Sequence, residues 1–280
     1  MCIGTKLKPR DFNMKWGRSS FVLLFLMICF SFNSFSQSDS VPPLNKGYFK
    51  SYLKDTRDFI LFPREIKKQD WVFISSAVAA TGLAFYFDEE IEKAFRESNF
   101  RTTNQQPIDY TLGAVGLGVY PFAAAAVLFI AGKQKENEHW VWLSMLQIKT
   151  IGLAAGFSRV PKFLAQRHRP NLESKVINPW NWEGPLNGFT GNDAFASGHS
   201  FIAFSWASVT ASACKENKLL VVGLYTLASL VGVSRVYQGE HWASDVITGA
   251  AMGYAFGKLS YRLQSRNWTV RKRTSRKIEN

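Results

Sequence analysis

The sequence predicts an all-α protein, a bundle of about six apolar helices embedded in a membrane behind an N-terminal signal segment. Apolar runs rich in Ala, Leu, Val, Phe and Gly recur at 71–87, 111–131, 140–160, 201–214, 219–233 and 242–257. Proline is nearly absent inside them, and Gly and Ala recur at the spacing that lets helices pack closely. The runs 111–131 and 219–233 contain no charged residue, whereas a water-soluble bundle would show a polar stripe. A membrane span needs about 20 apolar residues, and several runs are shorter than that. The mean hydropathy of −0.09 is also low for a polytopic protein. The charge-free runs tip the reading towards the membrane.

Along the chain, residues 1–20 carry Lys6, Lys8, Arg10, Lys15 and Arg18, and an apolar run follows at 21–32. Ser34, Phe35 and Ser36 then precede Gln37, so 1–36 has the layout of a signal peptide or, uncleaved, of a signal anchor. Residues 37–70 are polar, contain Pro42 and Pro43, and predict one amphipathic helix around 50–61. The helical domain covers 71–260. A basic tail, 261–280, holds Arg262, Arg266, Arg271, Lys272, Arg273, Arg276 and Lys277 against Glu279.

Such a tail belongs in the cytoplasm, beside anionic headgroups, and also reads as a solvated end. Counting back from it places Lys215 and Lys218 inside, with the loops 161–195 and 236–240 and the acidic stretch 88–92 outside. If the signal is cleaved, 71–87 cannot cross fully; if it is not, this run is the first of six spans.

A length of 280 residues suits one domain after the targeting segment. The net charge of +13 does not indicate nucleic acid, because the basic residues are not interleaved with exposed aromatics. Cys2 and Cys29 fall in the targeting segment, so Cys214 has no internal disulfide partner. No Cys or His cluster has zinc-ligand spacing and no acidic loop resembles a calcium site, so chemistry without metal or cofactor is expected.

Three segments concentrate cations and imidazoles at helix ends. Lys162 and Arg169, seven apart, fall on one face if two helical turns continue to Pro170. Basic residues at a membrane boundary also snorkel. Ser197 is placed to cap a helix beginning at Gly198 and His199, where free amides and the helix dipole attract anions. Arg235 closes one helix, Gly239 permits a tight turn, and His241 opens the next with Asp245 four residues on. That spacing predicts an Asp245 carboxylate accepting the His241 Nδ1 hydrogen, which leaves Nε2 free to attack. Taken singly, each has a plain structural explanation: an interfacial histidine for His199, a structural pair for His241 and Asp245.

Taken together, K-x6-R-P at 162–170, A-S-G-H at 196–199 and S-R-x5-H-x3-D at 234–245 resemble the type 2 phosphatidic acid phosphatase and vanadium haloperoxidase superfamily, over roughly 70–260. Ala196 departs from the proline usual there, which bears on loop stiffness and not on the reacting groups. The resemblance implies that Lys162, Arg169 and Arg235 bind phosphate oxygens with Ser197 and the Gly198 amide, that His241 attacks phosphorus, and that His199 protonates the leaving oxygen. Three cations and helix-terminal amides could then supply the charge stabilisation that magnesium supplies elsewhere.

The implied activity is metal-independent hydrolysis of a lipid-linked phosphate or pyrophosphate, polyprenyl pyrophosphate included, through a phosphohistidine. Its setting is the cytoplasmic membrane, with the site facing the periplasm or exterior. The alternatives are a soluble periplasmic acid phosphatase and a vanadate-dependent haloperoxidase. Lys149, inside an apolar run, is expected to snorkel or to have an interhelical partner. His168 is read as a rim residue. Trp180, Trp182, Phe189 and Phe195 are read as a lipid-tail entrance or an aromatic belt.

Overall fold

The structure is a computed structural model that describes residues 46–61, 67–97, 107–170, 178–187 and 191–279. The signal segment 1–36, most of the lead-in before 46, and Phe189 lie outside the described residues. The helices are α1 (Lys46–Leu61), α2 (Lys68–Glu97), α3 (Pro107–Gly116), α4 (Val119–Gln134), α5 (Glu138–Phe157), α6 (Arg159–Ala165), α7 (Gly198–Ala213), α8 (Lys218–Tyr237) and α9 (Ala243–Glu279). Among the described residues the β-structure is one isolated bridge, between Arg167 and Trp182. The expected all-α bundle is present, with α1 as the amphipathic helix of the lead-in and the basic tail continuing α9 as helix.

Two of the apolar runs divide. The run 111–131 becomes α3 and α4, bent by 66° at Leu117 and Gly118. Gly118 takes a left-handed φ of 83°, which turns the chain, and Pro121 sits in the first turn of α4, where its missing N–H costs no helical bond. The run 140–160 ends as α5 at Phe157, and Ser158 separates it from α6. Side-chain caps fix two other starts: Asn137 accepts from the Trp140 amide at 3.1 Å and Asn217 from the Leu220 amide at 3.0 Å.

Among the described residues two helices, α2 over Asp70–Glu97 and α8 over Lys218–Tyr237, are long and apolar enough to cross a membrane, and the bent α3–α4 pair would make a third. In α2 only 6% of the apolar stretch is buried, and Trp71, Val72, Val78 and Leu83 point outwards. So large an apolar face without protein cover is the surface of a membrane helix.

The centre of the bundle is the packing of α7 on α9. Gly249, Gly253 and Gly257 recur every fourth residue along α9, and a Cβ on any of them would lie closer than 3.0 Å to the carbonyl oxygen of Ser197, Phe201 or Ser205 respectively. The stripe therefore lets the two backbones touch along three turns. Phe201, Trp206, Ala207, Ala211 and Phe256 fill the core around it.

At one flank, α1 docks through a buried ion pair between Asp55 and Lys149, and Lys149 Nζ also donates to Ser51 Oγ at 2.7 Å. Lys149 thus has an interhelical partner. The Asp55 carboxylate additionally accepts from Gln264 of α9, so α1 joins α5 to α9.

Replacing Gly253 by Ala should force α7 and α9 apart and cost about 1–3 kcal/mol. In detergent its thermal midpoint should fall. Gly223→Ala, at a glycine with nothing within 4 Å, should leave the midpoint unchanged or raise it. Equal midpoints would show that the stripe does not set the packing.

Candidate functional site

The three sequence segments meet at one end of the bundle. Ser197 caps α7, accepting from the Ser200 amide at 3.4 Å, and its own amide donates to the Asp245 carbonyl at 3.0 Å. The A-S-G-H segment is thereby tied to the H-x3-D segment by backbone as well as by the glycine stripe. Gly198 lies beside Lys162, whose Cε would be 3.4 Å from an added Cβ. On the far side, Gly116 at the end of α3 packs on the His199 ring so closely that a Cβ would overlap it.

Arg235, on the last turn of α8, is buried with its guanidinium near Gly113, and Asp109 of α3 faces it electrostatically. The turn after α8 follows from Gly239 at φ 67°, and the Glu240 amide donates to the Arg235 carbonyl at 3.0 Å. That turn delivers His241, which is only 2% exposed.

Lys162 and Arg169 converge by a different route from the expected one. The helix does not run to Pro170: α6 ends at Ala165, and Gln166 turns the chain at a left-handed φ of 44°. Contacts made by the next few residues cause this turn. The Gln166 carbonyl accepts from the Glu183 amide at 3.2 Å, the His168 amide donates to the Asn181 carbonyl at 3.0 Å, and the Arg167 side chain dives into the protein. Lys162 and Arg169 therefore approach from separate segments and meet at Asp193. Its Oδ1 accepts from Arg169 Nε at 2.9 Å and lies 2.8 Å from Nη2, while Oδ2 is 3.3 Å from Lys162 Nζ. Lys162 also donates to the Asp193 carbonyl, and Arg169 pairs with Glu240.

The expected His241–Asp245 hydrogen bond is absent. Nδ1 and Asp245 Oδ2 are 3.9 Å apart, beyond hydrogen-bond range though still an ionic contact, and Nδ1 is buried without a hydrogen-bond partner. Asp245 is committed elsewhere. Its Oδ2 accepts the Trp242 amide at 2.9 Å, closing the first turn of α9 as the third residue of a capping box does. Its Oδ1 accepts from Arg167 Nη1 at 2.6 Å.

Arg167 is the buried centre of this end of the bundle that the sequence did not reveal. Its side chain is completely buried. Nη1 donates to Ser244 Oγ at 2.8 Å, Nη2 to Asp88 Oδ2 at 2.8 Å, and Nε to the Pro179 carbonyl at 2.9 Å. The rings of Phe85, Trp182 and Trp242 stand 4.6, 4.8 and 5.3 Å from the guanidinium carbon. Asp88 of α2 in turn accepts the Ser244 amide at 2.9 Å, so a carboxylate from another helix caps α9.

Trp182 and Phe195 thus pack on Phe85, and Trp180, though exposed, stacks on the same ring. His168 sits at the rim, 2.6 Å from Glu183. The one available sequence signal was composition: a cation and a carboxylate, Arg167 and Asp88, each adjoining an apolar helix at the same end of the bundle.

The electrostatics confirm that the groups share one neighbourhood. Burial, and then the charges of Arg235, His241, Lys162 and Arg169, push His199, in the first turn of α7 ahead of its apolar stretch, down to about 3. Burial also lowers His241, against the opposing pull of Asp245, and lowers Lys162. Burial alone would raise Asp193, but Lys162 and Arg169 outweigh it and hold the carboxyl below its usual range. An apolar groove of about 400 Å³ runs between α1, α5, α6, α7 and α9. Its walls include Pro161, next to Lys162, and Phe201, two residues past His199.

Comparison with known proteins gives the same residues a context. The chain is 38% identical over 123 residues to the lipid A 1-phosphatase of Porphyromonas gingivalis, a match covering 43% of this chain and 24% of that protein. It is 30% identical over 96 residues to the lipid A 4′-phosphatase of the same organism, covering 34% and 38%. A PA-phosphatase related-family protein of Dictyostelium discoideum is 24% identical over 216 residues, covering 69% and 77%. The chain thus spans about a quarter of the first of these relatives. Among solved structures, the PAP2-type phosphatidylglycerolphosphate phosphatase of Bacillus subtilis aligns with a TM-score of 0.47 at 20% identity, over 79% of this chain and 95% of that one. The family description that matches is the PAP2 superfamily, over residues 140–269, a stretch that contains every site residue named from the three motifs.

Proposed function

We propose that the protein is a membrane phosphatase acting on lipid-linked phosphate, by way of a phosphohistidine. The observation that carries this reading is the convergence of Lys162, Arg169, Arg235, His199 and His241 from three separate segments on one end of the bundle. The apolar groove and the apolar outer face of α2 favour a substrate with a hydrocarbon tail. The names of the relatives favour glycolipid phosphate of the lipid A kind as the first substrate to assay, ahead of phosphatidate, phosphatidylglycerol phosphate and polyprenyl pyrophosphate. Asp88, Arg169 and His241 lie at the same end of the bundle as the loops assigned to the outer side, and we infer that this end faces the periplasm or exterior.

In the proposed reaction Lys162, Arg169 and Arg235 hold the phosphate oxygens, with the Ser197 hydroxyl and the Gly198 amide at the start of α7. His241 Nε2 forms a bond to phosphorus as the bond to the lipid oxygen breaks, and His199 gives that oxygen its proton. Water then attacks the phosphohistidine, with His199 taking the proton back, and inorganic phosphate leaves. Asp245 acts on His241 through its charge across 3.9 Å and through the helix start that it closes. Phosphate monoesters are among the slowest substrates to hydrolyse unaided, and enzymes accelerate them by up to roughly 10²¹-fold, which a cationic clamp of this kind serves.

Rapid acid quench during lipid-phosphate turnover should trap phosphate on His241, and His241→Ala should abolish both the trapped species and turnover. An adduct surviving in His241→Ala would overturn the nucleophile assignment. His199→Ala should lower kcat by about 10²–10⁴-fold for a lipid leaving group, and much less for p-nitrophenyl phosphate, whose leaving group needs no proton.

The pH dependence has a defined sign. His199 at about 3 is neutral in the free protein, so its catalytic proton has to arrive with the substrate, whose second ionisation lies near 6. kcat/KM should therefore fall about tenfold per pH unit well above that value. It should also fall on the acid side, as His241 protonates below the usual histidine range. A rate rising from pH 7 to 9 would contradict the assignment of His199 as the acid.

Ala255→Trp, which fills the groove, should raise KM for the lipid substrate while leaving p-nitrophenyl phosphate turnover nearly unchanged. Equal loss on both substrates would remove the groove from the reading.

A further inference from the structure

We propose that Asp193 is a built-in occupant of the phosphate site: its carboxylate lies where two phosphate oxygens would bind, and substrate enters by displacing it. The inference rests on the assignment of Lys162 and Arg169 as phosphate-binding residues. Asp193 presents one oxygen to Arg169, at 2.9 Å from Nε and 2.8 Å from Nη2, and the other to Lys162 Nζ at 3.3 Å. That is how an oxyanion spans two cations.

The contact is not a casual surface pair. Lys162 is buried, and it donates to the Asp193 backbone carbonyl as well, so the segment leading into Ser197 is drawn onto the cation. Arg169 is also engaged by Glu240 on its remaining amino group. With Asp193 and Glu240 in place, Nε, Nη1 and Nη2 of Arg169 each already face a carboxylate oxygen.

A phosphate dianion carries more charge and more acceptor oxygens than a carboxylate, so it can win these donors. Its affinity is then the difference between two anions competing for the same cations. The consequence falls on the product. A clamp of Lys162, Arg169 and Arg235 with no internal competitor would retain inorganic phosphate, whereas the return of Asp193 to Lys162 and Arg169 helps to expel it. Asp193 is in this sense an affinity-determining residue that need not touch the reacting atoms.

Inorganic phosphate is the probe, titrated into the full-length protein in detergent at pH 7 and fixed ionic strength. Asp193→Asn and Asp193→Ala should bind it at least about tenfold more tightly than the wild type. Product inhibition by phosphate should strengthen in parallel. Glu240→Gln removes a charge from the same guanidinium without vacating the Lys162–Arg169 bridge, and should tighten binding by no more than about threefold. Weaker or unchanged binding in the Asp193 variants would mean that Asp193 only positions the two cations, and would overturn the proposal. An equal gain in Glu240→Gln would do the same, because the effect would then be one of field and not of occupancy.

In the wild type, phosphate addition should shift a carboxylate stretch in the infrared difference spectrum, a signal that tests the proposal even if the variants do not fold; its absence overturns it. Lipid-phosphate turnover measured alongside keeps the two readings apart. Wild-type turnover without tighter binding in the variants defeats this inference alone. Tighter binding in a protein that turns over no lipid phosphate defeats the functional reading alone.

Discussion

A single guanidinium, that of Arg167, holds the rest of the site in place. It is completely buried, and four partners surround it: two carboxylates, one hydroxyl and one backbone carbonyl. A buried charge stripped of one partner typically costs about 3–5 kcal/mol, a large part of a domain's margin of stability, so the network stands or falls as a unit. Because Asp88 belongs to α2, Asp245 to α9 and Pro179 to the intervening loop, satisfying Arg167 fixes three parts of the chain relative to one another. The sharp turn at Gln166, which sends Lys162 and Arg169 towards Asp193 from two directions, is the geometric result of burying this residue.

The same network explains the state of His241. Asp245 would be the natural acceptor for its Nδ1 hydrogen, yet both carboxylate oxygens are engaged, one by Arg167 and one by the Trp242 amide. His241 is left in a charged neighbourhood without a hydrogen bond on Nδ1, and burial there disfavours the protonated ring. A neutral imidazole is what the proposed attack on phosphorus needs. The opposing carboxylate is close enough to stabilise the positive charge that would develop on the ring once the bond to phosphorus has formed.

Much of this was legible in the residues, and the limits are physical. Apolar runs gave the helices because burial and lipid exposure select the same side chains whichever way a helix is oriented. The segments around Lys162, Ser197, His199, Arg235 and His241 were legible because unlike residue types stand there at fixed spacing. What could not be read was the fate of a helix end. Whether 162–170 continues as helix is decided by Arg167 finding Asp88, a residue 79 positions away, and no local pattern encodes that. The break at Gly118 was hidden for a related reason: a glycine in an apolar run looks like a packing glycine until its φ is known. In α9 the glycines at 249, 253 and 257 are packing glycines, and there the sequence pattern and the structure agree.

The seam of bare backbone between α7 and α9 has a mechanical meaning. His199 and His241 are mounted at the head of two rods fused along three turns, and their separation is governed by main-chain contact, which substitutions elsewhere can hardly lengthen. Among the described residues, the loop that carries Trp180, Glu183 and Asp193 is held instead by polar tethers to Lys162 and Gln166 and by ring packing on Phe85 of α2. Substitutions in that loop should consequently leave the spacing of His199 and His241 unaltered.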